Sequence, residues 1–177
     1  MKRTFAPVFA AALAVLFSTS APLAQASGDV SAIAVPAGHK QAMSALGAGD
    51  LSYECRSKAN MPGMHEWVFA GPTAVLYDQS KTLIGKYYGG PTWEANDGSK
   101  VTGKQLAVTP SNNPNSIPLQ LVQANPASGA GAMMGITYIQ RLNTKGGIAP
   151  TDACTADNVG AKKMVKYEAD YVFYKAS

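Results

Sequence analysis

Apolar and polar positions alternate along most of this chain after residue 50, with the period of two that a β-strand imposes. The last segment is the clearest: Val165, Tyr167, Ala169, Tyr171 and Phe173 alternate with Lys166, Glu168, Asp170, Val172 and Tyr174. Leu51, Tyr53 and Cys55 likewise share one strand face, with Ser52 and Glu54 on the other. Shorter strands are predicted at 66–69, 73–77, 83–88, 92–94, 101–108, 117–122 and 134–142. In the last of these, Ile136, Tyr138 and Gln140 fall on one side, and Thr137, Ile139 and Arg141 on the other. Turn signals separate the runs: Pro62-Gly63, Gly71-Pro72, Asp78-Gln79-Ser80, Gly89-Gly90-Pro91 and Asn96-Asp97-Gly98-Ser99.

Upstream the pattern is weaker. Residues 27–38 read as an extended lead-in, and 39–47 fits a short helix or a strand. Gly47-Ala48-Gly49-Asp50 reads as a turn, and 109–117 as a polar loop carrying two prolines. No helical period is sustained and no βα alternation occurs. The expected fold is therefore all-β: one antiparallel sandwich or barrel over residues 27–177, with little helix.

Residues 1–26 break this pattern. Lys2 and Arg3 precede an apolar run from Phe5 to Phe17, and Ala24-Gln25-Ala26 places small residues before Ser27. That is the layout of a cleaved signal peptide, with the cut between Ala26 and Ser27. The apolar core is shorter than the roughly 20 residues needed to span a bilayer. No later segment spans, and no cysteine near the cut suggests a lipid anchor. The expected location is exported, periplasmic or secreted. Lys2 and Arg3 leave with the signal and take half of the formal charge of +4 with them. What remains is too weakly basic and too dispersed for a nucleic-acid surface.

Export changes the reading of Cys55 and Cys154, the two cysteines. In an oxidising compartment paired thiols become disulfides, and two cysteines allow one intramolecular pairing. Cys55–Cys154 is expected, with buried free thiols as the alternative. His39 and His65 are the only histidines. They lack the close Cys/His spacing of zinc sites, so no metal and no cofactor is expected.

Trp93, Glu94 and Asp97 are the first candidates for chemistry. A tryptophan beside two carboxylates suits a sugar-binding or glycoside-cleaving site, in which one acid has a raised pKa. They equally suit a core ring, a solvated charge and a turn cap. Arg141 lies in an otherwise apolar strand. It either faces outward, pairs with a carboxylate such as Asp170 or Glu168, or meets a ligand carboxylate.

The order of motifs is more specific than any one of them. Tyr53-Glu54-Cys55 is followed by Trp67-Val68-Phe69, Gly90-Pro91-Thr92-Trp93-Glu94, Asp97-Gly98-Ser99-Lys100-Val101 and Ile117-Pro118. Then come Thr137 to Thr144, Gly146-Gly147-Ile148-Ala149-Pro150, Cys154, and Tyr167 to Tyr174. From about Val35 to Tyr174 this resembles DUF3455, a family of exported bacterial and fungal proteins defined as a domain of unknown function. The resemblance implies export, one domain and the cysteine pair, and no activity. Lys86 stands where members often have histidine, and Leu119 where many have tryptophan, which speaks against a histidine-based mechanism.

The reading is an exported, disulfide-stapled binding domain whose partner is a small molecule, a glycan or an envelope protein. Its candidate surface is the loop set from Tyr87 to Ser99 with the loop after Arg141. The alternatives are a polysaccharide hydrolase using Glu94 and Asp97, and a structural or stress-related envelope protein.

Overall fold

The computed structural model describes residues 30–177; the predicted signal peptide, with Ala26 and Ser27, lies outside them. Eight strands follow in chain order. They are β1 (His39–Ser57), β2 (His65–Tyr77), β3 (Leu83–Tyr88), β4 (Thr92–Ala95), β5 (Lys100–Thr109), β6 (Leu119–Ala124), β7 (Ile136–Gly146) and β8 (Lys162–Ala176). Each is antiparallel to the next, and β8 returns to β1, so the sheet closes into a barrel. Closure is incomplete along the short β3–β4 hairpin: residues 65–72 of β2 pair only with β1, and residues 103–109 of β5 only with β6. Of the two architectures the alternation allowed, the chain adopts the barrel.

β1 is where the sequence pattern misleads. Residues 47–50 are not a turn: strand pairing to β8 runs unbroken from Met43 to Glu54. The glycines there serve close approach instead. A Cβ on Gly47 would lie 2.5 Å from Cε2 of Tyr171, and one on Gly49 would lie 2.2 Å from the Thr73 carbonyl oxygen. The two short strands expected at 66–69 and 73–77 are one strand. Pro72 and Gly71 stay paired with Leu51 and Ser52, and an irregularity between Ser52 and Tyr53 leaves Ala70 as the extra residue. A second irregularity, between Ile136 and Tyr138, shifts the β7 alternation. Ile136 therefore joins Ile139 inside the barrel rather than opposing it.

The interior is filled unevenly. At one end Leu76, Trp93, Val101, Val122, Ile139 and Phe173 pack together, all nearly inaccessible. Met133, from the 125–135 connection, joins this cluster. Asp97 holds that connection in place. Its carboxylate accepts from the Ala132 amide at 2.8 Å and from the Ser99 hydroxyl at 2.5 Å, and the Ser99 oxygen accepts from the Met133 amide at 3.1 Å.

A smaller cluster lies on the outer face. Val30–Ile33 forms a single 3-10 turn that lays Ile33 over Leu119 and Leu121. Gln140 fixes it by donating to the Ile33 carbonyl at 2.7 Å. This covers the side of β6 that would otherwise meet water. The lead-in expected at 27–38 is thus partly a turn with a packing role.

Cys55 and Cys154 form a disulfide, with Cα atoms 5.5 Å apart. It pins the connection from β7 to β8 onto the end of β1. The Trp67 indole N–H donates to the Asp152 carbonyl at 2.8 Å, and Lys163 pairs with the Asp152 carboxylate. Among the described residues no helix is long and apolar enough to cross a membrane.

Candidate functional site

The end of the barrel opposite Met133 is not filled. A cavity of about 510 Å³ opens there, lined by residues of β1, β2, β3, β5, β6 and β7. That is within the size range of small-molecule sites, and eight strands are enough to enclose one small ligand. Leu51, Phe69, Pro72, Pro91 and Ile117 give it apolar walls. Tyr53 and Tyr87 line it with aromatic rings, and Gln105 and Gln120 with amides. Arg141 is the one charged group in the lining.

The position of Arg141 follows from the register. It lies opposite Gln120 on β6 and opposite Tyr171 on β8. Ile139, two residues earlier on the same face, is completely buried in the core. Arg141 therefore turns inward. This corrects the expectation that it faces outward or pairs with Asp170 or Glu168. Asp170 accepts from Asn143 at 2.7 Å, and Glu168 pairs with Lys145 at 3.2 Å. Among the described residues no carboxylate pairs with Arg141. Its Nε and Nη2 donate to the Pro118 carbonyl at 3.1 and 2.8 Å.

That acceptor is itself braced. Ile117 donates its amide to the Gly146 carbonyl at 2.9 Å, and Thr144 donates its hydroxyl to the Ile117 carbonyl at 2.6 Å. The guanidinium is thus fixed on one edge. A guanidinium carries five N–H groups, and beyond the two bonds to Pro118 its other edge has no acceptor among the described residues.

Three phenols surround the charge from below. Tyr167 and Tyr171 bring their hydroxyl oxygens to 3.2 Å of each other, and the Tyr87 ring lies 5.1 Å from that of Tyr171. Burial pushes all three phenols above the ordinary tyrosine range, and the Arg141 charge pulls weakly the other way. They stay neutral at physiological pH and cannot offset the guanidinium. At the rim, Tyr53 donates to the Gly147 carbonyl at 2.7 Å, and Gln120 donates to Gln105 at 2.6 Å.

The other predicted site residues lie elsewhere. Trp93 is 1% exposed and does not line the cavity. Its ring stacks on Tyr87 at 4.8 Å and meets Tyr171 edge-on at 5.7 Å, so it supports the cavity wall from behind. It cannot stack on a sugar. Glu94 sits on the outer face. It accepts from the Tyr88 hydroxyl at 2.6 Å and pairs with Lys86 at 3.1 Å. The Tyr88 phenol, followed by Lys86, holds its carboxyl below the usual range. Asp97 lies at the filled end, and its carboxyl is also held low, first by the Ser99 hydroxyl and then by the Ala132 amide. The acid with a raised pKa that a cleaving pair needs is not formed by either.

Of the predicted site residues, the structure brings only Arg141 to the cavity, joined by Tyr87, Gly90 and Pro91 from the expected loop set. Tyr53, Phe69, Gln105 and Gln120 escaped the sequence reading. The signal was present: Gln120 alternates with Val122, and Val122 belongs to the core.

Lys86 and Leu119, the two departures from the family pattern, both lie outside the cavity lining. Lys86 is paired with Glu94, and Leu119 belongs to the outer cluster under Ile33. Neither the curated proteins nor the solved structures match this chain. The family described as "Protein of unknown function (DUF3455)" matches residues 36–175, from the approach to β1 almost to the end of β8, and the chain belongs to it.

Proposed function

We propose that this protein binds a small molecule inside the open end of its barrel. One observation carries the reading: the barrel is filled with buried side chains around Met133 and hollow at the other end. Protein interiors are close-packed, and apolar side chains fill voids where stability alone decides. Here Tyr53, Tyr87, Gln105 and Gln120 line open space instead of apolar side chains filling it. The walls come mostly from strands, which hold a site more rigidly than loops. The disulfide and the Tyr53–Gly147 bond fix the rim.

The setting proposed for this binding is the periplasm or the outside of the cell. The N-terminal charge, apolar run and Ala-Gln-Ala site support it. A disulfide-stapled barrel suits capture or transport of a ligand there.

A thermal-shift screen of small molecules tests the reading, because a ligand that binds only the folded state raises the melting temperature. Gln105→Trp serves as the control, since an indole at that exposed rim position closes the mouth. Stabilisation by a ligand in the parent protein and its loss in Gln105→Trp are expected. Stabilisation that survives the blocked mouth contradicts the proposal.

A further inference from the structure

We infer that the ligand is a small amphipathic monoanion, a carboxylic acid with an apolar or aromatic body. It seats its carboxylate on the free edge of Arg141. The inference rests on the binding-barrel reading and adds the chemistry of the ligand.

A partly exposed guanidinium that faces a cavity with no carboxylate beside it is open to pairing with an anion that enters. Every other described arginine or lysine that belongs to an ion pair meets its carboxylate on the outer surface or in a loop. Arg141 alone turns into the barrel, and the protein supplies it with a carbonyl rather than a counter-charge. The Pro118 carbonyl orients the planar guanidinium without neutralising it. Its remaining N–H groups form the flat fork that matches a carboxylate with two parallel hydrogen bonds.

The surroundings select further. Tyr87 lines the cavity, with Tyr167 and Tyr171 behind it, and burial keeps these phenols neutral, so they add no repulsion. No acidic residue lines the cavity, so nothing there repels an anion. Among the described residues Arg141 is the one cation in the lining, which fits a monoanion rather than a di- or triphosphate. Beyond the charge the walls are Leu51, Phe69, Ile117, Tyr53 and Tyr87, which suit an apolar body of modest size.

The test uses three matched pairs: benzoate, naphthoate and octanoate, each beside its primary amide. The amide keeps the shape and removes the charge. Affinities are measured calorimetrically for the parent protein, Arg141→Gln and Arg141→Lys, with the melting temperature of each unliganded protein recorded alongside. At least one acid is expected to bind tenfold or more tightly than its amide. Arg141→Gln should bring that acid down to the level of its amide and leave the amide unchanged, and Arg141→Lys should restore part of the gap.

Acids and amides that bind alike, with no effect of Arg141→Gln, overturn the anion inference and leave the binding barrel standing. Binding by none of the six also overturns it. The barrel reading falls as well only if the wider thermal-shift screen finds no stabilising molecule. Should Arg141→Gln fail to fold, the acid–amide gap in the parent protein and Arg141→Lys still decide.

Discussion

Arg141 on β7 lies directly opposite Tyr171 on β8, and both side chains turn into the barrel. A positive charge thus sits one residue pair from a phenol that is 1% exposed. The two lie at the boundary between the packed and the hollow parts of the interior. Below them the chain has solved a packing problem; above them it has left one open.

This boundary makes a prediction about stability. Because Arg141 has no carboxylate partner, replacing it removes an uncompensated charge and loses only the bonds to Pro118. Arg141→Met should leave the unfolding free energy unchanged or raise it by up to about 1 kcal/mol. Urea denaturation measures it. A loss of more than about 2 kcal/mol, the scale of a broken structural interaction, assigns Arg141 to the scaffold instead.

Gly47 sits where the Tyr171 ring needs room. Its added Cβ would lie 2.5 Å from the ring, which is itself held by Tyr87 and Trp93. Gly47→Ala should therefore destabilise by roughly 1–3 kcal/mol, the usual range for overpacking a filled core. An alanine tolerated without loss of melting temperature contradicts this account of the glycine.

Asp97 should set part of the acid sensitivity. Its folded-state pKa lies below the ordinary 3.8, through bonds from Ser99 and Ala132. A group depressed in the folded state contributes stability that is fully present above its unfolded pKa. That stability is lost as pH falls through the folded value. Asp97→Asn should melt lower than the parent protein near neutral pH, and the two should converge in strong acid. Parallel melting curves across the acid range contradict the anchoring role.

Tyr167 and Tyr171 govern the alkaline side with the opposite sign. Burial raises both above the ordinary 10.0, so their contribution is complete below that pH and is lost as pH rises through the folded values. Spectrophotometric titration should show these phenols ionising together with unfolding rather than before it. Ionisation of all the tyrosines while the barrel remains folded contradicts their placement.

How much of this was legible follows from which faces are covered. β8 is legible because its alternation is clean: Tyr167, Ala169, Tyr171 and Phe173 all face the core. β1 was misread at Gly47 and Gly49, because glycine for close approach looks the same in sequence as glycine for a turn. The strand carrying Arg141 was read with Ile139 and Arg141 on one face, which the structure retains. The irregularity after Ile136 moved Ile136 to that same face and hid that it is the inner one. Along β6, Leu119 and Leu121 look like the inward set, yet they lie outside under Ile33, and Gln120 lines the cavity. Only tertiary packing distinguishes the two. Trp93 and Asp97 carried the plain roles that the sequence also allowed, a core ring and a turn cap.

The most direct measurement is the location of a bound ligand. Backbone and side-chain NMR shifts of the protein, recorded while a stabilising acid such as naphthoate is titrated in, report which residues it touches. The predicted changes concentrate at Leu51, Tyr53, Tyr87, Gln120 and the Nε–H of Arg141, leaving Glu94 and Asn96 on the outer face unmoved. Changes centred on Glu94 and its neighbours, with Arg141 and Gln120 still, contradict the account.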